Sequence, residues 1–121
     1  MAKFYNESEE MYLETLLRLK KEKENVHAID ISNAMNFSRA SVSRAIQNLK
    51  NKGYIIVNDD ESLALTEEGE TYAKAVFDRH LTLTKFLISL GVDEKIAEED
   101  ACKIEHVISD ETLEKIKEHI K

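Results

Sequence analysis

From Ser38 to Leu65 the chain changes its hydrophobic period within a few residues, and few folds satisfy both halves of that stretch. Val42, Ile46 and Leu49 are spaced by four and three, the period of a helix with one buried face. Ser38 can accept a hydrogen bond from the free amides of the next turn, and Gly53 suits the left-handed stop after Leu49, so the pattern predicts a helix over 39–52. Tyr54-Ile55-Ile56-Val57 then reads as a strand, Asn58-Asp59-Asp60-Glu61 as a turn, and Ser62-Leu63-Ala64-Leu65 as the returning strand. Upstream, Met11, Leu13, Leu16, Leu17 and Leu19 predict a helix from about Phe4 to Lys23, and a short second helix fits Ala28 to Met35 with Ile29, Ile31 and Ala34 inward. Three helices and a hairpin in this order make a winged helix-turn-helix.

The rest of the chain is helical, which makes the fold class mainly α. Thr66 can cap a fourth helix carrying Tyr72, Ala73, Val76, Leu83, Phe86, Leu87 and Leu90 up to Gly91. Asp93 caps a fifth through about Ile108, and Ser109-Asp110-Glu111 opens a sixth. The expected division is residues 1–66 for the winged helix and 67–121 for a helical unit. Its short helices offer little core of their own, so burial against a second copy, a homodimer, is expected. No apolar run approaches the roughly 20 residues of a membrane span, and MAKFYNESEE lacks the apolar stretch of a secretory signal. The expected compartment is the cytoplasm, with no membrane partner.

Net charge is −7, which argues against non-specific coating of nucleic acid. The distribution is uneven. Residues 1–66 carry 9 Lys/Arg against 10 Asp/Glu, whereas residues 67–121 carry 8 against 14. Between Asp30 and Asp59 there is no acidic residue, while Arg39, Arg44, Lys50 and Lys52 are all positive. The third helix therefore reads as a recognition helix, with Ser38, Arg39, Ser41, Ser43, Arg44 and Lys50 as the candidate contacts to double-stranded DNA.

Cys102, Glu105 and His106 stand at i, i+3 and i+4, the spacing that gathers side chains on one helix face. Thiolate, carboxylate and imidazole together suit Fe²⁺, Co²⁺, Ni²⁺ or Zn²⁺ better than Mg²⁺ or Ca²⁺. Spacing alone leaves equally open a buried cysteine beside a surface Glu-His pair.

Over residues 7–114 the sequence resembles the diphtheria toxin repressor family of metal-dependent repressors. The resemblance lies in EMYLETLLRL at 10–19, SRASVSRAIQNLKNKGYI at 38–55, LTEEGETYA at 65–73 and, above all, DACKIEHVISDE at 100–111. It implies a metal site built from Met11, Cys102, Glu105 and His106. In manganese-selective relatives a hard carboxylate replaces the Met and a Glu replaces the Cys, so the resemblance points to the iron type. Fe²⁺ is the first expected effector, followed by Mn²⁺, Co²⁺, Ni²⁺ and Zn²⁺. A thioether and a thiolate are soft ligands that add little for Mn²⁺. The family also suggests a second site, for which this chain offers Glu14, His80 and Glu98, with Thr84 where iron-type members carry a Glu. Longer relatives continue into an SH3-like domain, and this chain reads as the short two-domain form.

The function implied is a metal-dependent repressor of metal-uptake genes that binds a palindromic operator as a dimer, not an enzyme. Two other readings stay open. A winged-helix regulator with Cys102 as core would bind DNA indifferently to chelator. A metalloenzyme would need a general acid or base that the sequence does not offer beside the trio.

Overall fold

The computed structural model describes residues 7–120. The chain divides into two compact units, Ser8–Lys74, and Met1–Glu7 together with Ala75–Lys121. The first is built from α1 (Glu7–Glu22), α2 (Ala28–Met35), α3 (Arg39–Asn51), β1 (Ile55–Val57), β2 (Leu63–Leu65) and the opening turns of α4 (Glu67–Ser89). The second holds the rest of α4, α5 (Glu94–Ile104) and α6 (Asp110–His119). This is the expected winged helix-turn-helix followed by a helical region. The residues expected to begin the first helix at Phe4 fall outside the described stretch.

In the first unit Leu13, Leu16, Val26, Ile31, Val42, Leu49, Ile55 and Leu63 are buried. Short local bonds fix the helix ends. Ser38 is the N-cap of α3 and accepts from the Ser41 amide at 3.1 Å, while Asp30 in the first turn of α2 accepts from the His27 amide at 2.8 Å. Asn36, left-handed at φ 57°, closes α2 and starts the turn into α3. Contrary to the sequence reading, Ile29 and Ala34 of α2 are exposed; Ile31 and Ser32 carry its buried face. With α2 only eight residues long, one helical turn sets its inward stripe, and Ser32 joins it by donating its hydroxyl to the Phe37 carbonyl at 2.6 Å.

The hairpin pairs Ile55 with Leu65 and Val57 with Leu63. It is shorter than predicted because Tyr54 is still engaged in ending α3, its amide donating to Leu49 O at 3.0 Å, and Ser62 is held by Asp60. The sequence reading missed a third edge: Leu63 donates its amide to Val26 O at 2.7 Å, so the segment before α2 lies along the wing. The wing's tip turns at Glu61, φ 66°.

Gly69 ties α4 to the wing. A Cβ there would lie 1.9 Å from the Tyr54 carbonyl oxygen, so only glycine admits the approach. Thr66 caps this helix as predicted, its hydroxyl accepting from the Gly69 amide at 3.0 Å.

The second unit has a small core of Leu83, Ala101 and Leu113, with Ile104, Ile108 and Ile116 packed against it. Helix α5 ends at Ile104, earlier than the predicted Ile108. The amides of Val107 and Ile108 both donate to Ile104 O at 3.0 Å, tightening the last turn before Ser109 extends to cap α6. Leu90, expected within the fourth helix, lies just beyond its end at Ser89 and is exposed.

Candidate metal centre and nucleic-acid interface

In the second unit the predicted trio comes together at the C-terminus of α5. Although Glu105 and His106 lie just beyond the helix, the Glu105 amide still donates to Ala101 O at 2.9 Å, so the i, i+3, i+4 geometry survives. One ligand atom from each of Cys102, Glu105 and His106 lies within 4.8 Å of the others, about the span across a single ion bonded at roughly 2.0–2.3 Å. Cys102 is a free, half-buried thiol.

Glu105 is the centre of the cluster. Its side chain is 0% exposed, an expensive place for a carboxylate unless charge or hydrogen bonds compensate. His80 on α4 supplies one partner, its Nδ1–H donating to Oε2 at 2.8 Å. Because an ionised carboxylate only accepts, the proton in this bond sits on Nδ1, and Nε2 is the ring nitrogen not engaged with Glu105. The His80 ring stacks on Phe77 one turn earlier, with centroids 6.4 Å apart, and Thr84 donates its hydroxyl to His80 O at 2.8 Å. The other oxygen, Oε1, lies 3.3 Å from His106 Nε2 but accepts no hydrogen bond among the described residues. A buried anion with one oxygen left over, beside a buried imidazole and a thiol, fits a divalent cation.

The sequence reading did not connect His80 with Glu105. The two are 25 residues apart and no spacing rule links them; only the packing of α4 beside the end of α5 does. Glu98 is exposed and joins no cluster of three or more candidate ligands among the described residues. Thr84 is engaged with its own helix. Met11 and Glu14 both lie on α1 in the first unit, Met11 partly exposed and Glu14 buried with an ion pair to Arg18 at 3.2 Å.

In the first unit, the predicted contact residues lie on α3 and at its N-cap. Arg39, Ser43, Arg44 and Lys50 are exposed. Ser38 and Ser41 are occupied in the cap, the Ser38 hydroxyl donating to Ser41 Oγ at 3.0 Å and Arg44 reaching the same oxygen at 3.4 Å. The cap holds the Arg44 guanidinium over the first turn, where the unpaired amides already favour an anion. Lys52 is drawn away from this face. Its ammonium pairs with Glu9 at 2.5 Å, and that carboxylate raises its pKa. Gln47, which lies on the outer polar surface but is not among the candidate contacts, is exposed on the same helix and donates to Asn51 Oδ1 at 3.1 Å; a helical wheel centred on Val42 and Leu49 places it opposite them.

Residues 5–63 match the N-terminal DNA binding domain of iron dependent repressors, and residues 66–121 match their metal binding and dimerisation domain. An uncharacterised HTH-type transcriptional regulator of Methanocaldococcus jannaschii is 36% identical over 114 residues, 93% of this chain and 91% of that protein. The chain belongs to the iron-dependent repressor family. Another of its relatives, the diphtheria toxin repressor of Corynebacterium diphtheriae, is 33% identical over 84% of this chain, which spans 46% of that protein's length. A solved manganese-dependent transcriptional repressor in complex with manganese superimposes with a TM-score of 0.85 at 24% identity, covering 93% of this chain and 52% of that one. As in other iron-dependent repressors, the winged helix is the DNA-binding part and the helical region carries metal binding and dimerisation. Among the described residues no helix is long and apolar enough to cross a membrane.

Proposed function

We propose that this iron-dependent repressor is activated by Fe²⁺ and, as a homodimer, binds a palindromic operator and turns off metal-uptake genes in the cytoplasm. Its role is regulatory, not catalytic. The observation that carries the reading is the buried Glu105 carboxylate, whose Oε1 accepts no hydrogen bond although it lies beside His106 and Cys102.

The ligands would be Met11, Cys102, Glu105 and His106, with residues 1–66 reading DNA and 67–121 holding metal and the second copy. When bound, the ion supplies a cross-link among these side chains, and thiolate plus thioether favours Fe²⁺ over Mn²⁺. The chain's own residues do the rest. His80 orients Glu105 by its hydrogen bond to Oε2, and Ser38 with Ser41 holds Arg44 at the start of α3. Ser38, Arg39, Ser41, Ser43, Arg44 and Lys50 contact the operator. Leu81 and Ile88, two turns apart on α4, and Ile96 on α5 are exposed apolar side chains suited to cover by the second copy. A second ion at Glu14, His80 and Glu98 would have to use His80 Nε2, the nitrogen not engaged with Glu105.

The test is anaerobic titration with Fe²⁺ and, separately, Mn²⁺, following binding to palindromic DNA by fluorescence anisotropy. Tightening with Fe²⁺ and a weaker response to Mn²⁺ is expected. Equal activation would remove Met11 and Cys102 as the source of selectivity and favour a manganese-responsive repressor. No response to either metal would leave a winged-helix regulator indifferent to metal.

A further inference from the structure

Two carboxylates directly precede Met11 in sequence, and neither faces water in the ordinary way of residues at a helix start. Glu9 pairs with Lys52, the C-cap residue of α3, at 2.5 Å. Glu10 is 1% exposed and accepts a hydrogen bond from the Tyr72 hydroxyl on α4 at 3.2 Å. The Tyr72 ring meets Tyr54 edge to face with centroids 5.2 Å apart, and Tyr54 in turn closes α3 through its amide bond to Leu49 O. Thr66 adds two bonds to the same junction, from its hydroxyl to Gly53 O at 2.6 Å and from its amide to Tyr54 O at 3.0 Å. The first turns of α1 are therefore pinned to the end of the recognition helix.

We infer that Glu9 and Glu10 are positioning residues that carry metal capture at Met11 to the recognition helix, Glu9 through Lys52 and Glu10 through Tyr72. This rests on Met11 being a ligand. Three physical points support it. Polar links reach only a few ångströms, so a shift of α1 at residues 9–11 must either move the end of α3 or break them. At 1% exposure Glu10 has no water to take the place of the Tyr72 hydroxyl if that bond breaks. Burial and the two carboxylates hold the Tyr72 phenol well above its usual pKa, so it stays a proton donor at every physiological pH. Lys52 is thereby explained as well: it is a cation of the acid-free stretch that does not join the DNA-facing group.

The experiment compares the operator affinity of the full-length protein with and without metal, and separately its binding of Co²⁺ in the absence of DNA, read by the ion's visible absorption. Lys52→Met and Tyr72→Phe are expected to lower the ratio of metal-bound to metal-free DNA affinity by roughly 2- to 30-fold, with Co²⁺ binding within about twofold of the parent. Lys52→Arg should recover the ratio. A Lys52 that merely touched a phosphate would lower both affinities together and leave the ratio intact. Tyr72→Phe keeps the ring packing, so it remains informative if Lys52→Met is poorly folded. An unchanged ratio in folded Tyr72→Phe and Lys52→Met overturns the inference alone, provided that Met11→Ala abolishes metal stimulation. Full stimulation in Met11→Ala removes the ligand assignment and this inference together.

Discussion

His80 on α4 and Glu105 at the C-cap of α5 share one buried hydrogen bond of 2.8 Å, and that bond decides which of the glutamate's oxygens is left for a ligand. Glu105→Gln would place an amide where His80 Nδ1 and His106 Nε2 face a carboxylate, removing both the charge and one acceptor. The expected result is a folded protein in which Fe²⁺ or Co²⁺ no longer raises the unfolding temperature. In the parent, metal at about 100 times its dissociation constant should add roughly 2.7 kcal/mol. Differential scanning calorimetry under anaerobic conditions measures this, and an equal metal-induced rise in Glu105→Gln would remove Glu105 from the site.

Gly69 makes the sharpest steric prediction. Its missing Cβ faces Tyr54 O at 1.9 Å and Tyr54 C at 2.8 Å, both backbone atoms in the turn that leads into β1. Neither can rotate away as a side-chain tip could. Gly69→Ala should therefore destabilise the protein by about 1–3 kcal/mol or more, despite the better helix propensity of alanine. Urea unfolding checks the value; a neutral or stabilising effect would mean that α4 does not approach Tyr54 this closely.

DNA contact is separable from fold because Lys50 and Arg44 are exposed and carry no core. Removing one phosphate contact should reduce the slope of log affinity against log salt by about 0.9. Lys50→Ala is expected to show that drop while weakening all DNA sequences alike. Arg44→Ala should in addition lose discrimination between operator and unrelated DNA, since the Ser41-held guanidinium lies at the end of α3 suited to a base edge. Anisotropy titrations at several salt concentrations distinguish the two. An unchanged slope in both variants would put the DNA-binding face elsewhere.

What was legible in the sequence was local. Ser38, Gly53, Thr66, Asp93 and Ser109 mark helix boundaries through bonds made within a few residues, and these boundaries stand. The trio Cys102, Glu105 and His106 was legible for the same reason, since one turn of backbone brings it together. Contacts made across elements were not. Nothing in the spacing links His80 to Glu105, Val26 to Leu63, or Lys52 to Glu9, because each pair is joined by packing rather than by period. The inward reading of Ile29 failed on a related point: an eight-residue helix has too few apolar positions to define a stripe, and a serine with a good backbone partner took the buried place. Glu98, chosen by position relative to the Cys segment, faces water because the buried side of α5 is set by Ala97 and Ala101.

Asp30 gives the fold a pH dependence of known sign. The His27 amide, at 2.8 Å, and then the Lys23 ammonium, at 3.0 Å, hold its carboxyl below the ordinary range. A carboxyl with a depressed folded-state pKa contributes stability that is complete above its unfolded pKa near 3.9 and disappears as the pH falls through the lower folded value. Asp30→Asn keeps the side-chain shape but loses the charge that both donors favour. It should cost about 0.5–1 kcal/mol near neutral pH, in line with the loss of a helix-start acceptor. Because protonation of Asp30 in the parent removes the same contribution, the two proteins should converge as the pH falls through the lowered folded-state value. Thermal unfolding from pH 7 down to pH 2 measures both limits, and a difference between parent and variant that persists undiminished at pH 2 would show that the stabilisation comes from packing rather than from the ionised carboxylate.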